Sequence, residues 1–282
     1  MAAPLAQGAA GRRWPTPIHA GENDAMAEYI EVERARAMTG LRLVLTSGVP
    51  GPWSEAAKGV LHVKQLACVK VRQELGGANR ALFDWTAQAS APVMVWNDER
   101  PRSTWIDQLY LAERLQPNPP LVPANLEDRV LMFGYANEIC GEHGLGWSKR
   151  LMIIHQGIAS PNEAGRQLAS YLAGKYGYDR AAAEAAPARI AGILGALSTR
   201  LEQQRKRGSR FFIGDALSAL DIYWACFAAL IDPLPDELCP MSPTFRRVYT
   251  DTDPTIKAAT APILLEHRDF IYHNFLELPL DF

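Results

Sequence analysis

Ser54 stands in the segment Gly51-Pro52-Trp53-Ser54-Glu55-Ala56-Ala57-Lys58, just after the apolar run 41–46. That order predicts a strand, a tight turn and a helix whose first turn carries the serine. A helix N-terminus has unpaired N–H groups and about half a positive charge. A thiolate or other anion brought to Ser54 would be stabilised there, so one reading is a site that holds and activates a thiol. A plain helix cap is the other, and this segment by itself fits both.

Two further points share this chemistry. Ala91-Pro92 opens an apolar run that reads as an internal strand, where proline donates no ladder hydrogen bond. A cis bond before Pro92 would turn the backbone N–H and C=O of Ala91 outward, free to pair with an extended peptide. A trans proline at the first residue of the strand is the alternative. Ser103 and Thr104 follow Pro101 at the start of the next helix, a second terminus suited to an anion and equally to capping.

Other chemistries find little support. Cys68, Cys140, Cys226 and Cys239 are far apart with no CxxC, and the six histidines form no HExxH. This pattern predicts neither a disulfide framework nor a metal, and it suits a reducing cytoplasm. A net charge of −2 without a long Lys/Arg run argues against a nucleic-acid surface. No stretch of about 18 apolar residues predicts a membrane span. Arg12-Arg13 has no apolar stretch behind it and is not read as a secretory signal.

The elements that must position these residues fall into two units. Between 41 and 115 strands and helices alternate: strands at 41–46, 68–72 and 92–96, helices at 53–66, 79–88 and 103–115. The last is expected to bury Trp105, Ile106, Leu109, Tyr110 and Leu111. The pattern is βαβ, then a β-hairpin and a helix, in a small mixed α/β domain. Residues 116–124 carry four prolines and read as a stiff linker. The rest, 125–282, reads as all-helical, with a Ser160 cap at one helix start and a core stripe of Ile190, Ile193, Leu194, Leu197 and Leu201. Residues 1–40 are an N-terminal extension. Its first 24 read as a mobile arm, and 25–38 as a short helix or an added strand.

In this order the segments resemble those of the cytosolic glutathione transferases. Pro52-x-Ser54-x-x-x-Lys58 resembles that family's P-x-S-x-x-[VA]-[RK], and Ala91-Pro92-Val93-Met94 its V-P-x-L. Residues 103–114 (STWIDQLYLAER) resemble E-S-x-A-I-x-x-Y-L-A-E-R. The most specific match is 211–222 (FFIGDALSALDI), which resembles F-x-x-G-D-x-x-S-x-A-D-I. Physically it is a capping box, with Asp221 reaching back to the Ser218 N–H, so it speaks for fold and not for substrate.

The resemblance implies a thioredoxin-like domain followed by a helical bundle, with glutathione as co-substrate. Ser54 would bond the glutathione sulfur and lower its pKa, with Ser47 as the second choice. Ala91, ahead of Pro92, would pair with the cysteinyl part, and Ser103 and Thr104 would receive the γ-glutamyl carboxylate. Tyr135, Trp147 and Arg150 are the positions expected at a pocket for a small hydrophobic electrophile. A homodimer is a further implication. Two departures stand out. Ser103 replaces the family's acid, a role left to Asp98 or Glu99, and the turn 47–52 is unusually rich in Gly and Pro. The expected function is a glutathione-dependent transferase, or a lyase or dehalogenase using the same thiolate. The rival is a binding or interaction protein on the same fold with a degenerate glutathione site.

Overall fold

The computed structural model describes residues 29–282. The arm expected over 1–24 and the opening of the 25–38 segment lie outside the described residues.

Alternating apolar residues build a three-stranded sheet in the order β2-β1-β3. β1 (Leu41–Thr46) runs parallel to β2 (Val69–Gln73) with Val44 opposite Val71, and antiparallel to β3 (Val93–Trp96) with Leu43 opposite Met94. Successive strand side chains point to opposite faces. Leu41, Leu43 and Leu45 therefore join one core with α2 (Pro52–Val63), while Val44, Val71, Val93 and Val95 join another under α1 (Val32–Arg36) and α3 (Arg80–Thr86). Both readings of 25–38 are realised in part among its described residues. Ile30 pairs with β2, its N–H donating to Lys70 at 3.0 Å, and α1 follows at once.

The expected hairpin is shorter than its pattern suggested. Beyond β3, pairing is confined to one bridge between Met94 and Arg102, with N–H···O distances of 2.9 and 2.8 Å. Pro101 cannot donate to the ladder, and Thr104 already caps α4 (Trp105–Leu115), so the strand has no room to extend. Tyr110, expected on the buried face of α4, is 50% exposed; Gln108 and Ala112 are buried instead.

The proline-rich segment 116–124 is fastened at both sides. Leu121 is buried and its carbonyl accepts from the Ala219 N–H at 2.9 Å, while Lys64 Nζ donates to the Pro119 carbonyl at 2.6 Å. Beyond it come α5 (Leu126–Cys140), α6 (Leu145–Ile158), α7 (Glu163–Tyr176) and α8 (Arg180–Lys206). The predicted stripe of α8 is buried throughout. Ser160 does not cap α7 as expected. That helix starts at Glu163, and Ser160 Oγ accepts from the Asn162 N–H in the turn before it.

Every residue of α9 (Ala219–Phe227) is buried, and the helix packs against α2, α5 and α12 (Pro262–Phe275). Its first turn is held by the Asp221 carboxylate, which accepts from the Ser218 N–H at 2.8 Å as predicted. The carboxylate also accepts from Ser218 Oγ at 2.7 Å and the Phe212 N–H at 2.9 Å, and it meets His267 Nε2 at 3.0 Å. The short helices α10 (Pro243–Tyr249) and α11 (Pro254–Ala259) lie between α9 and α12 along the chain. Residues 276–282 fold back over α2, where Asp281 pairs with Lys58 and Lys70.

Candidate functional site

The site begins at the N-terminus of α2. Gly51 is the N-cap in extended backbone and Pro52 fills the first helical position, so Ser54 falls in the first turn. A Cβ at Gly51 would lie 3.8 Å from Ser54 Oγ, which puts the hydroxyl beside the helix end. Ser54 is 5% exposed, and its hydroxyl takes no hydrogen bond from the described residues. It is therefore not spent on capping.

Trp53 fixes this turn against the helical unit. Its Nε1 donates to the Cys140 carbonyl at 2.9 Å, and its ring meets Phe227 edge-on at 4.9 Å between centroids. The approach depends on Gly146 in α6, where an added Cβ would come within 2.8 Å of the Trp53 ring. Ala91–Pro92 is cis. The Ala91 N–H and C=O take no hydrogen bond from the described residues, whereas the Pro92 carbonyl accepts from the buried Gln108 Nε2 at 3.1 Å. Gln108 thus holds the segment in place and leaves the Ala91 backbone free.

Ser54, Ala91 and Pro92 share one cavity of about 620 Å³ with residues of α6, α7 and α10. Its wall is mainly apolar, from Val49, Ile153, Ile154, Leu168, Leu172 and Val248 among others. Three cations also line it, Arg150, Lys175 and Arg247, and none of its described lining residues is an aspartate or glutamate. Arg150 Nη2 donates to the Tyr249 hydroxyl at 3.2 Å, and its guanidinium lies 5.4 Å from the Tyr249 ring centroid and 6.0 Å from that of Trp53. Burial works to lower its pKa, but the Tyr249 and Tyr176 hydroxyls outweigh this and hold it above the ordinary arginine value. Lys175 is an exposed residue whose ammonium lies 5.3 Å from the Tyr176 ring centroid. Loss of water there, and then the Arg150 charge, push its pKa down to about 8.

The other sequence-predicted residues stand elsewhere. Ser47 accepts from Arg72 Nη1 at 3.1 Å and does not line the cavity. Ser103 and Thr104 are exposed and outside it; Thr104 Oγ1 accepts from the Asp107 N–H at 3.1 Å as the cap of α4. Asp98 is exposed, and Glu99 is held by Arg102 and Arg114 at 2.7 and 2.6 Å, so neither faces Ser54's cavity. Tyr135 packs on the main core. Trp147 lies behind the wall, edge-on to Tyr176 at 4.9 Å. Of the three pocket positions, only Arg150 lines the cavity.

Lys175, Tyr176, Arg247, Tyr249 and Gln108 were not singled out by sequence. Gln108 sits among apolar neighbours at a helical spacing that could have marked it; the others carry no local signal. No cysteine is poised to act as a nucleophile. Burial raises Cys68 and Cys239 to about 11 and carries Cys140 and Cys226 upward as well. Among the described residues no group of three or more His, Cys, Asp or Glu side chains is placed to hold a metal ion. Among them, too, no helix is long and apolar enough to cross a membrane.

A small mixed sheet with a helix-start serine and a cis proline, followed by a helical unit, defines a thioredoxin-like domain joined to an all-α domain. Comparison with solved structures places this arrangement in the glutathione transferase fold. A glutathione transferase from Methylobacillus flagellatus with glutathione bound superposes with a TM-score of 0.55 at 13% identity, covering 83% of this chain and 95% of that one. One from Xanthobacter autotrophicus gives 0.53 at 16% identity over 86% and 98%. Ure2p in complex with glutathione gives 0.52 at 11% identity over 81% and 98%. No family model matches the chain, and no curated protein does.

Proposed function

We propose that the protein is a glutathione-dependent enzyme that directs the glutathione thiol at a small electrophile, as a transferase or as a thiolytic lyase or dehalogenase. The observation that carries this reading is the unspent Ser54 hydroxyl, set at the α2 N-terminus and facing a cavity shared with the free backbone of Ala91. These groups fit a cysteinyl thiol and the peptide around it, and solved relatives of this fold hold glutathione. Glutathione, when bound, would supply the sulfur nucleophile. Ser54 would donate a hydrogen bond toward the sulfur, and the α2 N-terminus would add its positive potential, both favouring thiolate over thiol. Ala91 would pair with the peptide through its N–H and C=O. The apolar wall excludes water from the reacting partner.

The reading includes a cytoplasmic setting, supported by four unpaired cysteines, and a homodimer. The dimer is supported by exposed apolar residues on two helices, Tyr110 on α4 and Leu126 and Val130 on α5.

One observation favours the second reading, a non-catalytic binding protein on this fold. Ser103 and Thr104 are exposed outside the cavity, so no side chain predicted for the γ-glutamyl group faces it. Calorimetric titration with glutathione separates the two. The enzyme reading expects millimolar or tighter binding, and absence of binding rejects it. The thiol pKa of bound glutathione should rise by about one unit in Ser54→Ala, the scale of one lost hydrogen bond to the anion, and not in Ser47→Ala.

A further inference from the structure

We propose that the second ligand of this cavity is an apolar acid, a compact aromatic or aliphatic body carrying one carboxylate, with Arg150 as the residue that selects the acid and Lys175 as the auxiliary cation. The proposal rests on the glutathione-dependent reading for the reaction, though not for the binding itself.

Three observations carry it. Arg150 is half-buried with its guanidinium against aromatic rings, and its polar partners are the hydroxyls of Tyr249 and Tyr176; it forms no ion pair with any described residue. A guanidinium partly withdrawn from water is best answered by a carboxylate, because hydroxyl oxygens accept its hydrogen bonds without neutralising its charge. Two buried lysines of this chain have such a partner, whereas the buried Arg42 and Arg200 donate to backbone carbonyls instead. The buried Lys149, next to Arg150 in sequence, pairs with Asp251, and Lys64 pairs with Glu113 at 2.6 Å. Second, Lys175 and Arg247 line the same cavity, and no acid among its described lining residues answers these charges. Third, the rest of the wall is apolar, with Ile153, Leu168 and Val248. Such a wall takes up a hydrocarbon body and leaves a charged head to find the guanidinium.

Placement also separates this cation from the peptide-binding side. Arg150 belongs to α6 in the helical unit, whereas Ala91 and Ser54 belong to the thioredoxin-like unit. Arg150 stands near the Trp53 ring, one residue from Ser54, so an acid held there lies within the same chamber as the hydroxyl.

The test is calorimetric titration of the full chain at pH 7 with 2-naphthoate and with its uncharged amide, 2-naphthamide. The acid should bind at least about 10-fold tighter, the scale of a hydrogen bond to a charged group. Arg150→Met should bring the two ligands to within about 2-fold, and Lys175→Met should reduce the preference by about 2–3-fold, as a weaker, partly solvated charge does. Saturating S-methylglutathione should leave the acid's affinity unchanged. Equal affinity of acid and amide for the unaltered chain overturns the proposal whether or not any variant folds. So does a preference that survives both substitutions together. Loss of acid binding in the presence of S-methylglutathione overturns it too, because the cations would then serve a carboxylate of glutathione. Glutathione titrated alone keeps the two readings apart: failure to bind it rejects the enzyme reading and leaves the acid preference standing.

Discussion

Trp53 and Cys140 meet across the two units: the indole N–H of the first turn of α2 donates to the final carbonyl of α5 at 2.9 Å. The bond sits one residue from Ser54, so the hydroxyl's position is set by a residue of the other unit. Trp53→Phe keeps most of the ring and removes the donor. The expected cost is about 1–2 kcal/mol in urea unfolding, with the Cys140 carbonyl left without this partner. A change of only a few tenths would mean that ring packing against Phe227 alone holds the turn.

Asp221 is the junction of α9, His267 and the segment before α9. It is fully buried and collects two backbone N–H groups besides Ser218 Oγ and His267. Removing one member of a buried polar pair leaves the other unanswered, which costs roughly 3–5 kcal/mol. Asp221→Ala should therefore lower Tm on the order of 10 °C, read by circular dichroism. An unchanged Tm would contradict the assignment of this carboxylate as the anchor of α9.

Asp281 joins the segment 276–282 to the first unit through Lys58 and Lys70. Burial acts to raise its pKa, and its bonds and charge contacts with those two lysines reverse the sign, so its carboxyl is held below the usual value. A depressed carboxyl pKa supplies stability above the ordinary value near 4, and that stability is lost as pH falls further, through the folded-state pKa. Asp281 is 38% exposed, and screening keeps the term under about 1 kcal/mol. Asp281→Asn should melt slightly earlier than the parent at pH 7, with the gap closing below about pH 4. A gap independent of pH would point to packing instead of charge.

The cysteines should be slow toward alkylation. A thiol reacts as thiolate, and a pKa near 11 for Cys68 and Cys239 leaves far less of it at pH 7.5 than a free cysteine has. Iodoacetamide should modify the native chain about 100-fold more slowly than free cysteine, with rates rising as pH climbs toward 11. Mass spectrometry after unfolding in urea should then recover four reactive thiols. One native thiol reacting at the free rate would show that its burial is not as described.

How far the sequence could be read follows from how local each signal was. The α2 start, the Ala91-Pro92 break and the Asp221 box are each written within a dozen residues, and each stands in the structure where its pattern put it. Ser103 and Thr104 were placed by order along the chain, which locates a helix start but not the side of it that faces a cavity. Tyr176, Lys175 and Tyr249 come to Arg150 only because α6, α7 and α10 line one cavity, and no spacing within any one segment records that meeting. Tyr110 shows the same gap from the other side. Its position on α4 reads as core by periodicity, yet it is half exposed, a distinction made by what covers the helix and not by the helix.

The pairing of Lys70 with Asp281 spans 211 positions. During synthesis, β2 leaves the ribosome long before its partner exists, so Lys70 waits for Asp281 until nearly all of the described chain has been made, while Lys58 already has Glu55 at 2.9 Å. Domains tend to fold as they emerge. Here the earlier unit can gather its sheet and α2, yet Lys70 receives its carboxylate from a segment translated after the helical unit. The order of manufacture and the order of completion run in opposite directions along this chain.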